Sequence, residues 1–174
     1  MSRYMFAFMM ILLAALSRLL PHPPNVAPIT ALALFGGAYL DRKHTFIVPL
    51  AAVLISDYFL GFYEGMIWVY ASFIAIGFVG LWLRKHRTAA NIAGASVFGS
   101  VLFFVVTNFG AWATYTDTHP RSLDGVIASY VAAIPFFRNT LLGDACFVAL
   151  LFGVYAIVRR YVPKLVGQQP ALDA

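Results

Sequence analysis

The sequence predicts an all-α integral membrane protein. Six transmembrane helices are expected, with both termini cytoplasmic and a short surface or re-entrant helix ahead of the last span. Three observations lead there: the composition, six apolar runs separated by polar breaks, and a lopsided distribution of basic residues. Of 174 residues, 61% are hydrophobic and 11% charged, with a mean hydropathy of +0.81. A water-soluble domain carries about 25% charged residues, so most of this chain cannot face water. Six spans of about 20 residues use roughly 120 of them, leaving only short loops. One membrane domain over residues 1–165 follows, with a flexible tail at 166–174.

The first run, Tyr4–Leu20, follows Arg3 and has small residues near its end, a pattern that also fits a signal peptide. It continues through Leu19 and Leu20 into a proline turn, as a retained helix would. Prolines 21, 23, 24 and 28 then make Arg18 to Asn25 a stiff turn and present Asn25, with His22 beside it, at the outer face. The second run, Val26–Leu40, ends at the charged anchor Asp41 to His44. The third and fourth, Phe46–Phe62 and Met66–Leu83, are joined by a short aromatic loop containing Glu64. The basic string RKHR separates them from the fifth, Ala90–Ala113, and the sixth is Pro135–Val158. Between those two, residues 126–134 are apolar but too short to span. Ser122–Ile134 is therefore expected to lie on, or dip into, the outer face, with Ser122 as its N-cap and Pro135 breaking it from the last span.

With the N-terminus placed inside, nine basic residues fall on the inner side: Arg3, Arg42, Lys43, Arg84, Lys85, Arg87, Arg159, Arg160 and Lys164. Arg18, Arg121 and Arg138 fall on the outer half. Cytoplasmic loops carry the excess of Lys and Arg, which fixes the orientation and implies a multi-pass membrane protein. The net charge of +5 is thus a topology signal and not a nucleic-acid surface, so no nucleic-acid partner is expected. The single cysteine, Cys146, excludes an internal disulfide and a multi-cysteine metal site.

Ionisable and amide side chains inside spans are the informative ones. At about 1.5 Å per residue, Asp57 lies roughly 20 Å along its span from Lys43, and Asn108 roughly 31 Å from Arg87. By the same rise, Asp144 and Arg138 lie roughly 22 and 31 Å from Arg159. Four polar groups on three helices thus share the outer half. Each has a structural reading: Arg138 snorkels to headgroups, Asp57 caps an interface or pairs with Arg138, and Asn108 is interhelical glue. Asp144 is hardest to explain that way, because a mid-span carboxylate costs roughly 2.5–3.5 kcal/mol on insertion scales. The candidate binding residues are Asn25, Asp57, Tyr58, Glu64, Trp68, Asn108, Trp112, Arg138, Asn139 and Asp144. The aromatics among them either stack on a ligand or belong to the interfacial belt. Paired small residues, Gly36 with Gly37, Gly77 with Gly80, Gly94 with Ala95 and Ala145 with Ala149, are expected to permit close helix approach.

Motifs of hydrolases, nucleotide-binding loops and redox dithiols are absent, and the four histidines (22, 44, 86 and 119) sit in loops on both faces. No nucleophile–base pair or metal-ligand set accompanies Asp57 and Asp144. An enzyme, a metal and a cofactor are therefore not expected.

The strings RLLPHPPNVAPITALALFGGAYL, VPLAAVLISDYFLGFY, FFVVTNFGAW and VAAIPFFRNTLLGD resemble an uncharacterised family of small bacterial membrane proteins. More distantly, the plan resembles the substrate-binding S-components of energy-coupling-factor vitamin transporters, in which IPFFRNTLLGD is similar to the opening of the last helix. That resemblance implies binding and uptake of a vitamin-like or micronutrient molecule near the extracytoplasmic face. It also implies a transmembrane coupling protein as partner, although Tyr4–Leu20 lacks the alanine spacing such proteins use for docking. The expected partners are the bilayer, a small-molecule ligand and that coupling protein or another membrane subunit. The competing expectation is a non-catalytic accessory subunit of a larger membrane complex.

Overall fold

The computed structural model describes residues 3–41, 44–115, 117 and 120–163. Among them the chain is all-helical: α1 (Arg3–Ser17), α2 (Ile29–Tyr39), α3 (His44–Leu60), α4 (Met66–Leu83), α5 (Ala89–Thr114) and α6 (Leu123–Tyr161). Helices α4, α5 and α6 are long and apolar enough to cross a membrane, whereas α1 to α3 are shorter apolar helices. Large apolar side chains cover the outside, among them Ile47 at 65%, Phe78 at 60% and Leu142 at 61% exposure. Large side chains of this kind scattered all round the outside suit a hydrocarbon solvent. The tail expected at 166–174 lies outside the described residues.

The bundle is organised around α2. Ten of its eleven residues, Ile29 to Ala38, are buried, and it touches each of the other five helices. A helix apolar on all faces belongs in a core. At about 1.5 Å per residue it is only about 17 Å long, well short of the roughly 30 Å hydrocarbon thickness. Its C-terminal carbonyls are capped from α4: the Arg84 guanidinium donates to the carbonyl oxygen of Gly37 at 2.9 Å, to that of Leu40, and to Thr45 Oγ1 at 3.0 Å. A cation placed there also complements the helix dipole. Arg84, which the sequence offers only as a topology charge, is a structural clamp.

Close approach of α2 and α4 depends on two glycines. A Cβ on Gly37 would lie 2.4 Å from the Gly80 carbonyl carbon, and one on Gly80 would lie 2.8 Å from the carbonyl oxygens of Ala33 and Leu34. Backbone cannot move aside as a side-chain tip can. Gly37→Val and Gly80→Val are expected to cost about 1–3 kcal/mol each through overpacking, read as a lower midpoint in detergent thermal unfolding. Gly94 meets nothing within 4 Å, so Gly94→Ala, which gains helix propensity, should leave that midpoint unchanged or raise it.

Helix α6 departs from expectation. The separate segment at Ser122–Ile134 does not exist: one helix of 39 residues runs through Pro135. The Ser122 cap is present, its side chain accepting from the Gly125 amide at 3.2 Å. A mid-helix proline costs roughly 3 kcal/mol, and contacts with α5 offset it. Ser129 Oγ donates to the Asn108 carbonyl at 3.1 Å, the Tyr130 hydroxyl to the Val105 carbonyl at 2.7 Å, and Phe104 packs on Tyr130 and Phe137. At about 58 Å, α6 far exceeds a bilayer's hydrocarbon thickness.

Candidate functional site

Between α1 and α2 the chain is not helical. Pro23 to Val26 form a tight turn in which the Val26 amide donates to the Pro23 carbonyl at 3.1 Å. Asn25 takes a left-handed backbone, φ 62°; proline second and a positive φ third is the type II pattern, and Asn tolerates that φ better than most residues. This turn packs against the middle of α6. The Asn139 side-chain amide donates to the Pro24 carbonyl at 3.1 Å, and Val26 sits so close to Gly143 that a Cβ there would lie 3.1 Å from the Val26 Cα. The four prolines contribute in a second way besides stiffness: each removes an amide donor that would otherwise need a partner.

A cavity of about 390 Å³ opens beside the turn. Its polar lining comes from Arg18, His22, Asn25, Thr30, Thr107, Asn108 and Asp144, and its apolar lining includes Ala27, Ile29, Leu60, Val69 and Phe103. Five elements thus meet around it: the turn, α2, the end of α3, α4 and α5, with Asp144 reaching in from α6.

Two carboxylates anchor the region, and their environments differ. Asp57 is buried and ion-paired: Arg18 Nη2 lies 2.7 Å from Asp57 Oδ1, and the Tyr70 hydroxyl donates to Oδ2 at 2.6 Å. The same guanidinium donates to Ser56 Oγ at 2.5 Å and to the Val53 carbonyl at 3.3 Å. Charge and donors are therefore both satisfied there. Asp144 is 2% exposed and accepts from the Ser100 hydroxyl at 2.6 Å, with the Thr30 hydroxyl as a second partner. Among the described residues it has no cationic partner; the ion pairs join Arg18 with Asp57 and His44 with Asp41. Burial of a lone carboxylate is costly unless something neutralises it.

Of the ten residues singled out in the sequence, Asn25, Asn108 and Asp144 line the cavity. Asp57 adjoins it through Arg18, and Asn139 holds the turn that forms one wall. The other five lie elsewhere. Tyr58 is 71% exposed, and Glu64 is exposed, its backbone carbonyl accepting from the Tyr115 hydroxyl. Trp68 packs on Phe109 and over Gly110. Trp112 donates to the Pro120 carbonyl at 3.0 Å beneath Arg121. Arg138 is exposed, so it is not the partner of Asp57. That partner is Arg18, because α1 ends against α3 and delivers its last charge to the buried carboxylate. Nor does any residue of 122–134 line the cavity; that segment is part of α6. Arg18, Thr30, Ser100 and Tyr70 were missed. Nothing in the sequence marks them: Arg18 stands at the start of a proline turn, which gives no direction for its side chain, and hydroxyls on apolar helices carry no signal either.

The model of a family described as Family of unknown function (DUF6580) matches residues 1–165, so the chain belongs to that family. No curated protein and no solved structure matches it.

Proposed function

We propose that this member of a family of unknown function is a membrane protein that binds a vitamin-like or micronutrient molecule for uptake. The bound molecule carries a positively charged nitrogen. The single observation that carries the reading is Asp144, a buried carboxylate at the cavity that no cation among the described residues pairs with, since the Arg18 lining the same cavity is engaged by Asp57. In a medium of low dielectric a lone carboxylate favours a proton or a cationic guest. A ligand ammonium 3 Å from it supplies the missing charge, while His22, Asn25, Asn108 and Thr107 offer hydrogen bonds that fix orientation. At about 390 Å³ the cavity stands at the small end of ligand pockets, which suits a single-ring or short-chain amine.

Orientation follows from the distribution of basic residues, which puts the proline turn at the extracytoplasmic face and the mouth of the cavity towards incoming solute. The likeness to vitamin-transporter S-components supports the same class.

The test is recovery of the guest. Protein purified gently in detergent is denatured, and the released small molecules are identified by mass spectrometry. A nitrogenous cation near one per protein is the expected result. A stoichiometric protein partner with no small molecule would replace the carrier by an accessory subunit.

A further inference from the structure

A second cavity, about 1010 Å³, is a groove between α5 and α6. Its floor and walls are small or apolar, with Ala93, Ala145 and Ala149 exposed along it, so it faces whatever surrounds the bundle. At one end three arginines stand together: Arg87, Arg159 and Arg160. They come from two separate stretches of chain, and two of them, Arg87 and Arg159, reach Tyr39. The Arg87 guanidinium lies 5.2 Å from the centre of that ring and hydrogen-bonds its hydroxyl, and Arg159 is within electrostatic reach of the same group. Among the described residues no carboxylate pairs with any of the three.

We infer that this groove holds an anionic phospholipid, its phosphate on Arg87, Arg159 and Arg160 and an acyl tail along the small-residue channel. Charge complementarity carries the inference. Basic pockets between transmembrane helices at the cytoplasmic side bind anionic headgroups, and guanidinium groups suit phosphate through paired N–H donors. Length agrees as well. From Ala89 to Ser100 the groove follows α5 for about 17 Å, comparable to the roughly 15 Å depth of one hydrocarbon leaflet. Positive residues at an inner face need no lipid to explain them, since they also set topology. A channel of alanines leading away from three cations that no carboxylate among the described residues pairs with has no such explanation.

The experiment uses the full chain in detergent, with native mass spectrometry reading retained lipid after addition of phosphatidylglycerol or phosphatidylcholine. Retention of phosphatidylglycerol should exceed that of phosphatidylcholine by more than tenfold. The combined Arg159→Gln and Arg160→Gln variant should abolish that preference while Asp144 and the other cavity remain intact. Ala149→Phe, which fills the channel and leaves the charges, should lower retention of both lipids. Glycerol phosphate, the headgroup without tails, should not bind at millimolar concentration. Equal retention of the two lipids, a preference that survives Arg159→Gln with Arg160→Gln, retention unchanged in Ala149→Phe, binding of glycerol phosphate alone, or a polypeptide found seated in the groove would each overturn the inference. None of these outcomes bears on the Asp144 cavity, so this inference and the proposed function fail separately.

Discussion

Asp57→Ala is expected to destabilise the bundle by about 3–5 kcal/mol, the cost of leaving one member of a buried ion pair uncompensated. The side chains of Arg18 and Asp57 are 10% and 4% exposed, so water does not rescue the orphaned guanidinium, and Tyr70 loses the acceptor for its hydroxyl as well. The pair is a brace: it joins the last turn of α1 to α3 and, through Tyr70, to α4. Thermal unfolding in a mild detergent reads the effect, and a second variant separates charge from packing. Arg18→Met combined with Asp57→Leu removes both charges and keeps the volume, and such replacements are often neutral or stabilising. The double variant should therefore recover most of the loss. A single variant that costs under about 1 kcal/mol, in the range of exposed pairs, would show that the brace is not structural.

The brace also shows where sequence reading succeeds and where it stops. Apolar runs locate five of the helices and the C-terminal end of α6 to within a few residues, because helices of this kind are apolar over most of their length; α6 itself begins at Leu123, well ahead of the run that starts at Pro135. The proline turn was legible for a similar reason: prolines at 21, 23, 24 and 28 exclude helix there, and Asn25 suits the left-handed position. Asp57 and Asp144 were legible as costly residues that need an explanation. Their partners were not. Depth along a helix can be counted from sequence, but rotation about its axis relative to neighbours cannot, and rotation decides which side chains meet. Arg138 and Asp144 share a helix and a half-membrane by counting, yet Arg138 is exposed and Asp144 is buried. Arg18 looked like a loop residue because helix α1 stops at Ser17, but the guanidinium reaches back into the bundle. Pro135 misled for a different reason. Its local penalty is real, and contacts of the Ser129–Tyr130 turn with α5, remote in sequence, outweigh it.

Asp144→Asn is the substitution that bears hardest on function. It preserves shape and leaves the Ser100 and Thr30 hydroxyls a neutral acceptor, while removing the charge. The cationic compound retained by the purified protein is expected to fall at least a hundredfold, equivalent to about 2.8 kcal/mol at 1.4 kcal/mol per tenfold. Stability should move the other way. A buried carboxylate carries a desolvation cost that an amide does not, so the empty variant should unfold at the same temperature as the empty parent or higher. These opposite signs distinguish a binding residue from a packing one, since a structural carboxylate lowers stability when removed. Asp57 supplies the contrast within the same protein: its charge is already neutralised by Arg18, and its loss is read in unfolding. If Asp144→Asn instead retains the compound at the parental level and unfolds earlier, the carboxylate serves the hydroxyl network alone and charge recognition at this cavity is ruled out. Should both variants lose the compound, the unfolding midpoint separates them: Asp57→Ala would act by loosening the cavity wall, Asp144→Asn by removing the counter-charge from a wall that still stands.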